Sequence, residues 1–196
     1  MSVFFTSDLH FMHDKPFIYE VRGFDNVYEM NKTIVNNWNA VVNHDDDVYV
    51  LGDLVMNDMA MGLYLISRLN GKIHIIRGNH DSDTKVERYK ECPNVVEIVD
   101  AKYFRYNGQS FYLSHFPTFS SSWEYPKKLK HKHINLCGHI HTKDKFCDMN
   151  KGIIYHVEVD AHNMTPVSID QILEDIYVYN TTRLLKEYEK EGNNNV

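Results

Sequence analysis

The chain has 196 residues, of which 43% are hydrophobic and 24% are charged, and its formal net charge at pH 7 is -6. This composition is typical of a folded globular domain and excludes a largely disordered chain. The acidic balance argues against extended duplex DNA as a partner, and no apolar run approaches the roughly 20 residues that cross a bilayer.

The first half of the chain alternates short apolar runs with amphipathic helical patterns. The apolar runs predict strands at Ser2–Thr6, Val48–Leu51 and Lys72–Arg77. Apolar residues at helical spacing and flanking cap signals predict helices at Tyr28–Val42, about Asp58–Leu69 and Asp83–Lys90. This β-α-β-α-β-α order is typical of an α/β sheet covered by helices.

The second half is predicted to be mostly β. Alternating aromatics, the hairpin signal Asn107-Gly108 and apolar runs predict strands at Val95–Asp100, Lys102–Tyr106, Ser110–Ser114, Ile134–Cys137 and Ile153–Val159. A capping box at Ser168–Gln171 opens a helix at about Ile169, and a last helix is predicted at Thr182–Glu191. We therefore expect an α/β (α+β) fold of packed sheets flanked by helices, in one domain over residues 1–191 with a frayed tail at 192–196.

Metal-type side chains follow five of the predicted strands within a few residues. They are Asp8, His10, Asp53, Asn79, His80, Asp81, His115, His139 and His141. Because ligands bind outside the carboxyl ends of the strands in an open α/β sheet, these side chains are expected to meet in one polar site. Gly52, Gly78 and Gly138 immediately precede three of the clusters, where a missing Cβ permits close approach to an ion or phosphate.

The donor set indicates a pair of metal ions. Carboxylate, amide and imidazole ligands without thiolate suit Mn, Fe, Zn or Co better than a structural cysteine–zinc site. The candidates outnumber what one ion can use, so two ions about 3.5–4 Å apart that share one carboxylate are the economical solution. Such a pair holds a bridging hydroxide at neutral pH and neutralises phosphoryl charge during in-line attack.

The blocks D-x-H, G-D, G-N-H-D, H and G-H-x-H, in this order, resemble the calcineurin-like metallophosphoesterase superfamily. The run SDLHFMH...RGF...EMNKTIVNNWN...DDVYVLGDL is similar to its small single-domain bacterial and phage phosphoesterases, and the similarity continues through VDAHNMTPVSIDQILE. The resemblance implies a four-layer sandwich of two mixed β-sheets flanked by helices, with the site at the strand-end rim. It also implies a metal-dependent hydrolase of phosphate esters.

The resemblance assigns roles to matching positions. A first metal would be held by four residues, called the first cluster: Asp8, His10, Asp53 and His141. A second metal would be held by the second cluster: Asp53, Asn79, His115 and His139. Asp53 belongs to both clusters and would bridge the two metals. His80 would stabilise or protonate the leaving oxygen, and Asp81 would orient His80 unless it is a helix N-cap. The cofactors would be two divalent ions, with Mn first and Fe, Zn, Ni or Co as alternatives.

Substrate contacts are expected from His13, Arg22 and Trp123. His13 could reach the substrate or be an exposed loop residue, and Arg22 could grip a phosphate or form a surface salt bridge. The aromatic segment Phe116–Tyr125 could stack a nucleobase and the basic run Lys127–His133 could attract an anion, or both could be solvated surface.

The segments GDLVMND and GNHD depart from the G-D-x-V-D-R-G and G-N-H-E of protein Ser/Thr phosphatases and dinucleoside-tetraphosphatases, and so argue against those branches. His162 stands where similar small members tend to have an aromatic. The expected substrate is a small phosphodiester, cyclic nucleotide or phosphomonoester. A nuclease for short single-stranded or RNA ends and a non-catalytic scaffold are the alternatives.

A cytoplasmic location is expected, because the N-terminus MSVFFTSDLH lacks the features of a signal peptide and the three cysteines have no C-x-x-C spacing. The sequence is compatible with a homodimer and with a monomer.

Overall fold

The computed structural model describes residues 1–118, 133–147 and 153–193. Trp123, most of the aromatic segment and all of the basic run except His133 lie outside the described residues. Among the described helices, none combines the length and hydrophobicity that a bilayer crossing requires.

The strands form two five-stranded mixed sheets. The first sheet has the order β10 (Val167–Ser168), β1 (Val3–Thr6), β2 (Asp47–Val50), β3 (Lys72–Ile76) and β4 (Val95–Val99). Its strands β1 to β4 are parallel, and β10 is antiparallel to β1. The second sheet has the order β5 (Lys102–Tyr106), β6 (Gln109–Leu113), β7 (His133–Cys137), β9 (Ile153–His156) and β8 (Phe146–Cys147). There β6, β7 and β9 are parallel and the two edge strands are antiparallel.

Five helices accompany the sheets in the described ranges. They are α1 (Pro16–Tyr19), α2 (Val27–Val41), α3 (Met59–Ser67), α4 (Asp83–Tyr89) and α5 (Ile169–Asn193), with a 3-10 helix at Val159–His162. Side-chain caps set three starts: Asn26 accepts from Glu29 N–H, Asp58 from Met61 N–H and Ser82 from Lys85 N–H. The predicted two mixed sheets flanked by helices are confirmed.

Alternation along β2 divides the core in two. Val48 and Val50 face the helices, where they join a buried cluster with Ile34, Trp38 and Ile66. Tyr49 and Leu51 face the second sheet, because successive strand residues point to opposite faces. Their cluster includes Phe111, Leu113, Ile134 and Leu136 from the second sheet and Ile172 and Ile176 from α5. The two sheets therefore pack face to face and hold their strand ends in fixed relation.

The C-terminal prediction was wrong in one respect. A single helix, α5, runs from Ile169 to Asn193, where we expected a separate last helix at Thr182–Glu191. The fraying of the tail at 192–196 stays a prediction. The helix continues through the polar stretch Asn180-Thr181-Thr182, where the Thr181 hydroxyl donates to the Tyr177 carbonyl at 2.9 Å. The predicted capping bond is present, from Gln171 N–H to Ser168 Oγ at 3.2 Å. Residues 194–196 lie outside the described residues.

Candidate metal centre

Polar side chains from five strand ends meet at one edge of the two sheets. Beyond the ends of β1, β2 and β3 come Asp8 with His10, Asp53, and Asn79. In the second sheet His115 follows β6, and His139 and His141 follow β7. The structure brings all seven predicted ligands together, because the carboxyl ends of parallel strands share an edge.

The first cluster is tight and largely buried. The Nε2 atoms of His10 and His141 are 3.1 Å apart. Asp8 Oδ1 lies 3.8 Å from the former and 3.6 Å from the latter. Ligand atoms of these three residues all lie within 4.8 Å of one another, which is the spacing of groups around one cation.

Asp53 lies between the two clusters. Its Oδ2 is 3.7 Å from His10 Nε2 in the first cluster and 3.6 Å from His115 Nε2 in the second. Asn79 Oδ1 completes the second group, 2.8 Å from His115 Nε2 and 3.1 Å from His139 Nδ1. Asp53 is buried whereas Asn79 and His139 are exposed, so the second cluster opens to solvent.

The donors fit a cation better than they fit one another. Asp8 Oδ1 is buried without a hydrogen-bond partner in the described residues, and a buried polar atom normally has one. Burial alone would raise the pKa of Asp8, but contact with His10 and the neighbouring imidazoles of His141 and His115 outweighs it and lowers the pKa. The group therefore stays a carboxylate, and its Oδ1 lies 3.8 and 3.6 Å from two imidazole nitrogens that can also act as ligands.

The backbone around the ligands is strained. Five of the candidates have left-handed φ values: Asp8 (56°), His10 (48°), Asp53 (56°), His139 (77°) and His141 (54°). Such values are rare outside glycine and persist where surrounding contacts impose them. Main-chain hydrogen bonds of 3.0 Å from Asp8 N–H to Gly52 O and from His10 N–H to Asp53 O fix the first two loops to each other.

Glycines leave room for the carboxylates. A Cβ at Gly78 would lie 2.2 Å from Asp53 Oδ1, and a Cβ at Gly138 would lie 2.2 Å from Asp8 Oδ2. Both distances are far inside van der Waals contact, so the carboxylates occupy the space that a side chain would need. The close approach at Gly78 and Gly138 is to carboxylates, and the approach of an ion or phosphate stays a prediction there.

Comparison with known proteins identifies the family of the chain. Residues 1–157 match the calcineurin-like phosphoesterase superfamily domain.

The chain belongs to the calcineurin-like phosphoesterase superfamily.

Relatives of this superfamily member include an uncharacterized protein of Methanocaldococcus jannaschii, MJ1445. It is 37% identical over 175 residues, which are 88% of this chain and 89% of that protein. The gene 66 protein of Mycobacterium phage L5 is 32% identical over 91 residues, 44% of this chain and 43% of that protein. The crystal structure of AQ665, a protein of unknown function from Aquifex aeolicus, superposes with a TM-score of 0.67 at 25% identity, covering 88% of this chain and 98% of that one.

His80 stands at the open side of the two clusters. Its main-chain N–H donates to Asp53 Oδ1 at 2.9 Å, and its Nε2 is 3.9 Å from Asp53 Oδ2. The side chain is 46% exposed, so the ring is held beside the clusters and still reaches solvent.

Asp81 does not do what we expected. In the described residues no hydrogen bond joins its carboxylate to the His80 ring, and the N-cap of α4 is Ser82. Asp81 Oδ2 instead accepts from the main-chain N–H groups of Asp53 at 2.8 Å and Gly78 at 2.9 Å. Its Oδ1 accepts from the Tyr89 hydroxyl at 2.8 Å. The carboxylate is buried and ties the two loops that carry Asp53 and Asn79, which is a positioning role.

Arg22 is not free to grip a phosphate. Its guanidinium is buried, with 1% of the side chain exposed, and forms a two-point ion pair with Asp160 at 2.9 and 2.7 Å. It also donates to the Asp8 carbonyl at 2.8 Å. Asp160 Oδ2 in turn lies 3.2 Å from His141 Nδ1. In place of the expected substrate contact, the buried Arg22–Asp160 pair contacts two members of the first cluster, Asp8 and His141.

Asp160 is electrostatically matched to this place. Burial alone would raise the pKa of Asp160, but the hydrogen bonds with His141 and Arg22 outweigh it and lower the pKa to about 2. Asp160 therefore remains ionised at neutral pH beside His141. A carboxylate against the distal nitrogen of a ligand imidazole fixes the orientation of the ring.

His13 lies against His10 rather than in solvent. The two Nδ1 atoms are 3.0 Å apart and the rings are nearly parallel, with centroids 5.1 Å apart. Burial, followed by the nearby His10, lowers the pKa of His13 to about 4, so the ring is neutral at pH 7. A contact with substrate stays a prediction for His13.

Sequence reasoning missed Glu158 and Asp160. Buried Glu158 accepts from the main-chain N–H of His141 at 2.8 Å and from that of Thr142 at 3.3 Å, and so holds the loop after β7. The strand-end pattern could have found both, because these carboxylates follow the apolar strand β9. His162 packs on Tyr155 with ring centroids 5.7 Å apart and its Nε2 lies 2.9 Å from the His156 carbonyl, in a supporting position.

Proposed function

We propose that the chain is a dinuclear metal-dependent hydrolase of phosphate esters. The observation that carries the proposal is the position of Asp53, whose Oδ2 lies 3.7 Å from His10 Nε2 and 3.6 Å from His115 Nε2. A carboxylate between two imidazole groups is the arrangement that two ions sharing one ligand require. Membership of the phosphoesterase superfamily supports the same reaction.

The two clusters define the proposed ligands. Asp8, His10, Asp53 and His141 would hold one ion, and Asp53, Asn79, His115 and His139 the other. When bound, such a pair activates a water molecule for in-line attack and neutralises charge on the phosphoryl group. Manganese is the first choice for this oxygen and nitrogen donor set, and Fe, Zn, Ni and Co are the alternatives.

His80 is the proposed catalytic acid. Its ring is half-exposed, and its Nε2 lies 3.9 Å from the shared carboxylate, so a phosphate bound beside Asp53 would be within its reach. A proton held at His80 could pass to the leaving oxygen, which is the role of a positioned imidazole in general acid catalysis. Arg22 takes no part in phosphate binding in this proposal, because its guanidinium is buried against Asp160.

Apolar side chains beside the second cluster support a nucleotide-type or other small phosphodiester substrate. Phe116 is exposed, and its ring centroid lies 4.7 Å from that of His139 and 5.1 Å from that of His115. Ile140, between His139 and His141, is also exposed. An exposed aromatic face next to a phosphate site can stack a base.

The test is hydrolysis of a chromogenic phosphodiester, bis(p-nitrophenyl) phosphate, by manganese-loaded protein. Cyclic nucleotides, p-nitrophenyl phosphate and labelled short oligonucleotides are run in parallel, with Asp53→Asn as the matched inactive control. Turnover of the small diesters that Asp53→Asn abolishes supports the proposal. Metal binding without turnover of any substrate would identify a scaffold, and cleavage confined to oligonucleotides would identify a nuclease.

The cytoplasm is the compartment we propose. Cys92, Cys137 and Cys147 are all free thiols, as expected in a reducing environment. A sedimentation measurement on the same sample tests for a homodimer.

A further inference from the structure

The two ring nitrogens of His10 face different partners. Nε2 faces the first cluster, 3.1 Å from His141 Nε2 and 3.7 Å from Asp53 Oδ2. Nδ1 faces away from the cluster and lies 3.0 Å from His13 Nδ1. If His10 is a metal ligand, as the proposed function requires, Nε2 is therefore the coordinating atom.

With His10 bound to a metal through Nε2, this contact assigns the proton on each ring. A neutral imidazole has one N–H donor and one lone pair, so a His10 that offers its Nε2 lone pair to a metal carries its proton on Nδ1. That Nδ1–H points at His13 Nδ1, which must then accept the hydrogen bond. His13 consequently carries its own proton on Nε2.

The local fold holds His13 in this acceptor position. The His13 N–H donates to the His10 carbonyl at 3.0 Å, closing a tight turn in which Met12 has a left-handed φ of 61°. Asn31 of α2 holds the turn from below, accepting from Met12 N–H at 3.4 Å and donating to Met12 Sδ at 3.0 Å. The Phe17 ring packs edge-on against His13, with centroids 5.6 Å apart.

We propose that His13 is a positioning residue for the metal centre, which accepts the Nδ1–H of His10 and so selects the ligand tautomer and ring orientation. The inference rests on the proposed function, because it needs His10 to bind a metal through Nε2. This role toward His10 is separate from the substrate contact that stays a prediction for His13. Partners that accept the distal N–H of a ligand histidine raise metal affinity by about 10- to 100-fold.

Three substitutions separate the hydrogen bond from packing. In His13→Asn the side-chain oxygen can occupy the place of Nδ1 and accept the same bond. In His13→Gln the amide reaches the place of Nε2 and leaves the Nδ1 place without an acceptor. His13→Phe keeps a ring of similar shape against Phe17 and has no acceptor at all.

The measurement is the Zn²⁺ and Mn²⁺ affinity of the apo-protein, by competition with a chromogenic chelator. We expect His13→Phe and His13→Gln to bind about 10- to 100-fold more weakly than the wild type, with His13→Asn within about threefold of it. Melting temperatures of the apo-proteins control for folding. Wild-type affinity in His13→Phe, or an Asn variant as weak as the Phe variant, would overturn the inference.

A second measurement needs no variant. In the zinc-loaded wild-type protein, long-range proton–nitrogen correlation spectra report which ring nitrogen of each histidine carries hydrogen. We expect His10 protonated at Nδ1 and His13 at Nε2, and a His13 protonated at Nδ1 would contradict the proposed bond. A wild-type protein that binds no metal at all would instead refute the proposed function, which separates the two failures.

Discussion

The main-chain N–H of His80 donates to Asp53 Oδ1 at 2.9 Å, which leaves Asp53 Oδ2 facing the imidazoles of His10 and His115. The orientation of the Asp53 carboxylate therefore depends on the backbone of His80, and the His80 ring remains exposed to solvent. The two contributions of this residue can be separated by changing the side chain alone.

We predict that His80→Ala keeps the metal and loses most of the turnover. The variant retains the backbone N–H to Asp53, so the bound metal content should equal that of the wild type. Removal of a general acid typically lowers kcat by about 10²- to 10⁴-fold. Steady-state kinetics and elemental analysis on one sample check both parts, and a normal kcat would remove His80 from the mechanism.

Asp81→Asn should lower stability rather than tune His80. The buried carboxylate accepts from the N–H groups of Asp53 and Gly78 and from the Tyr89 hydroxyl, and an amide would turn an N–H₂ toward at least one of these donors. We expect a loss of about 2–4 kcal/mol in the free energy of unfolding, measured by urea denaturation. Tyr89→Phe, which removes one donor, should cost about 1 kcal/mol. A stable Asp81→Asn variant whose pH–rate profile is shifted would restore the role first predicted for Asp81.

Arg22→Met should lower the stability of the protein and the metal affinity of the first cluster. It should leave the KM for a phosphodiester nearly unchanged. The change leaves Asp160 buried without its ion-pair partner, and breaking such a pair costs about 3–5 kcal/mol. Asp160→Asn is the matched variant from the other side of the pair. Denaturation and metal titration detect the loss, whereas a raised KM with wild-type metal affinity would support the phosphate contact that the sequence suggested.

The strand-end pattern was sufficient to predict which side chains meet at this edge of the sheets. Asp8, Asp53 and His139 are far apart in sequence, yet each follows an apolar strand, and parallel pairing brings such strand ends to one edge. The role of Arg22 could not be predicted in the same way. Its partner Asp160 lies 138 residues away, and no local pattern indicates which carboxylate a loop arginine will meet.

The sequence also could not predict the direction of the Asp81 side chain or the shortest strands. The position of Asp81 beside His80 suggested that the two interact, but the carboxylate points to the loop of Asp53. Strands β8 and β10 have two residues each, too few to show a period of two. They form because neighbouring strands offer unpaired edges, which is a property of the assembled sheets.

Acid should erase the stabilising effect of Asp175, a residue of α5. Burial raises the pKa of this carboxyl, but bonds from Lys145, Tyr155 and Gln171 outweigh it, so the folded-state pKa lies below the usual value. A lowered folded pKa means that the stabilisation is complete above the unfolded pKa of about 3.9 and is lost as the pH falls through the folded pKa.

The comparison is between the wild type and Asp175→Asn, which cannot ionise. We expect a difference in the free energy of unfolding of about 1–3 kcal/mol at pH 7, shrinking below about pH 4. Lys145→Met removes the cation and keeps the carboxylate. Its free energy of unfolding should differ from that of the wild type by less than that of Asp175→Asn does. A wild-type advantage that is constant down to about pH 2.5 would contradict the ion-pair explanation.

The proposed function requires seven side chains between Asp8 and His141 to hold two metal ions on either side of Asp53. Anomalous diffraction from manganese-soaked crystals would locate these ions. We predict two peaks about 3.5–4 Å apart, one within bonding distance of His10 and His141 and the other of His115 and His139, both contacting Asp53. A single ion, a site elsewhere, or no peak in a protein that folds normally would contradict the proposed function.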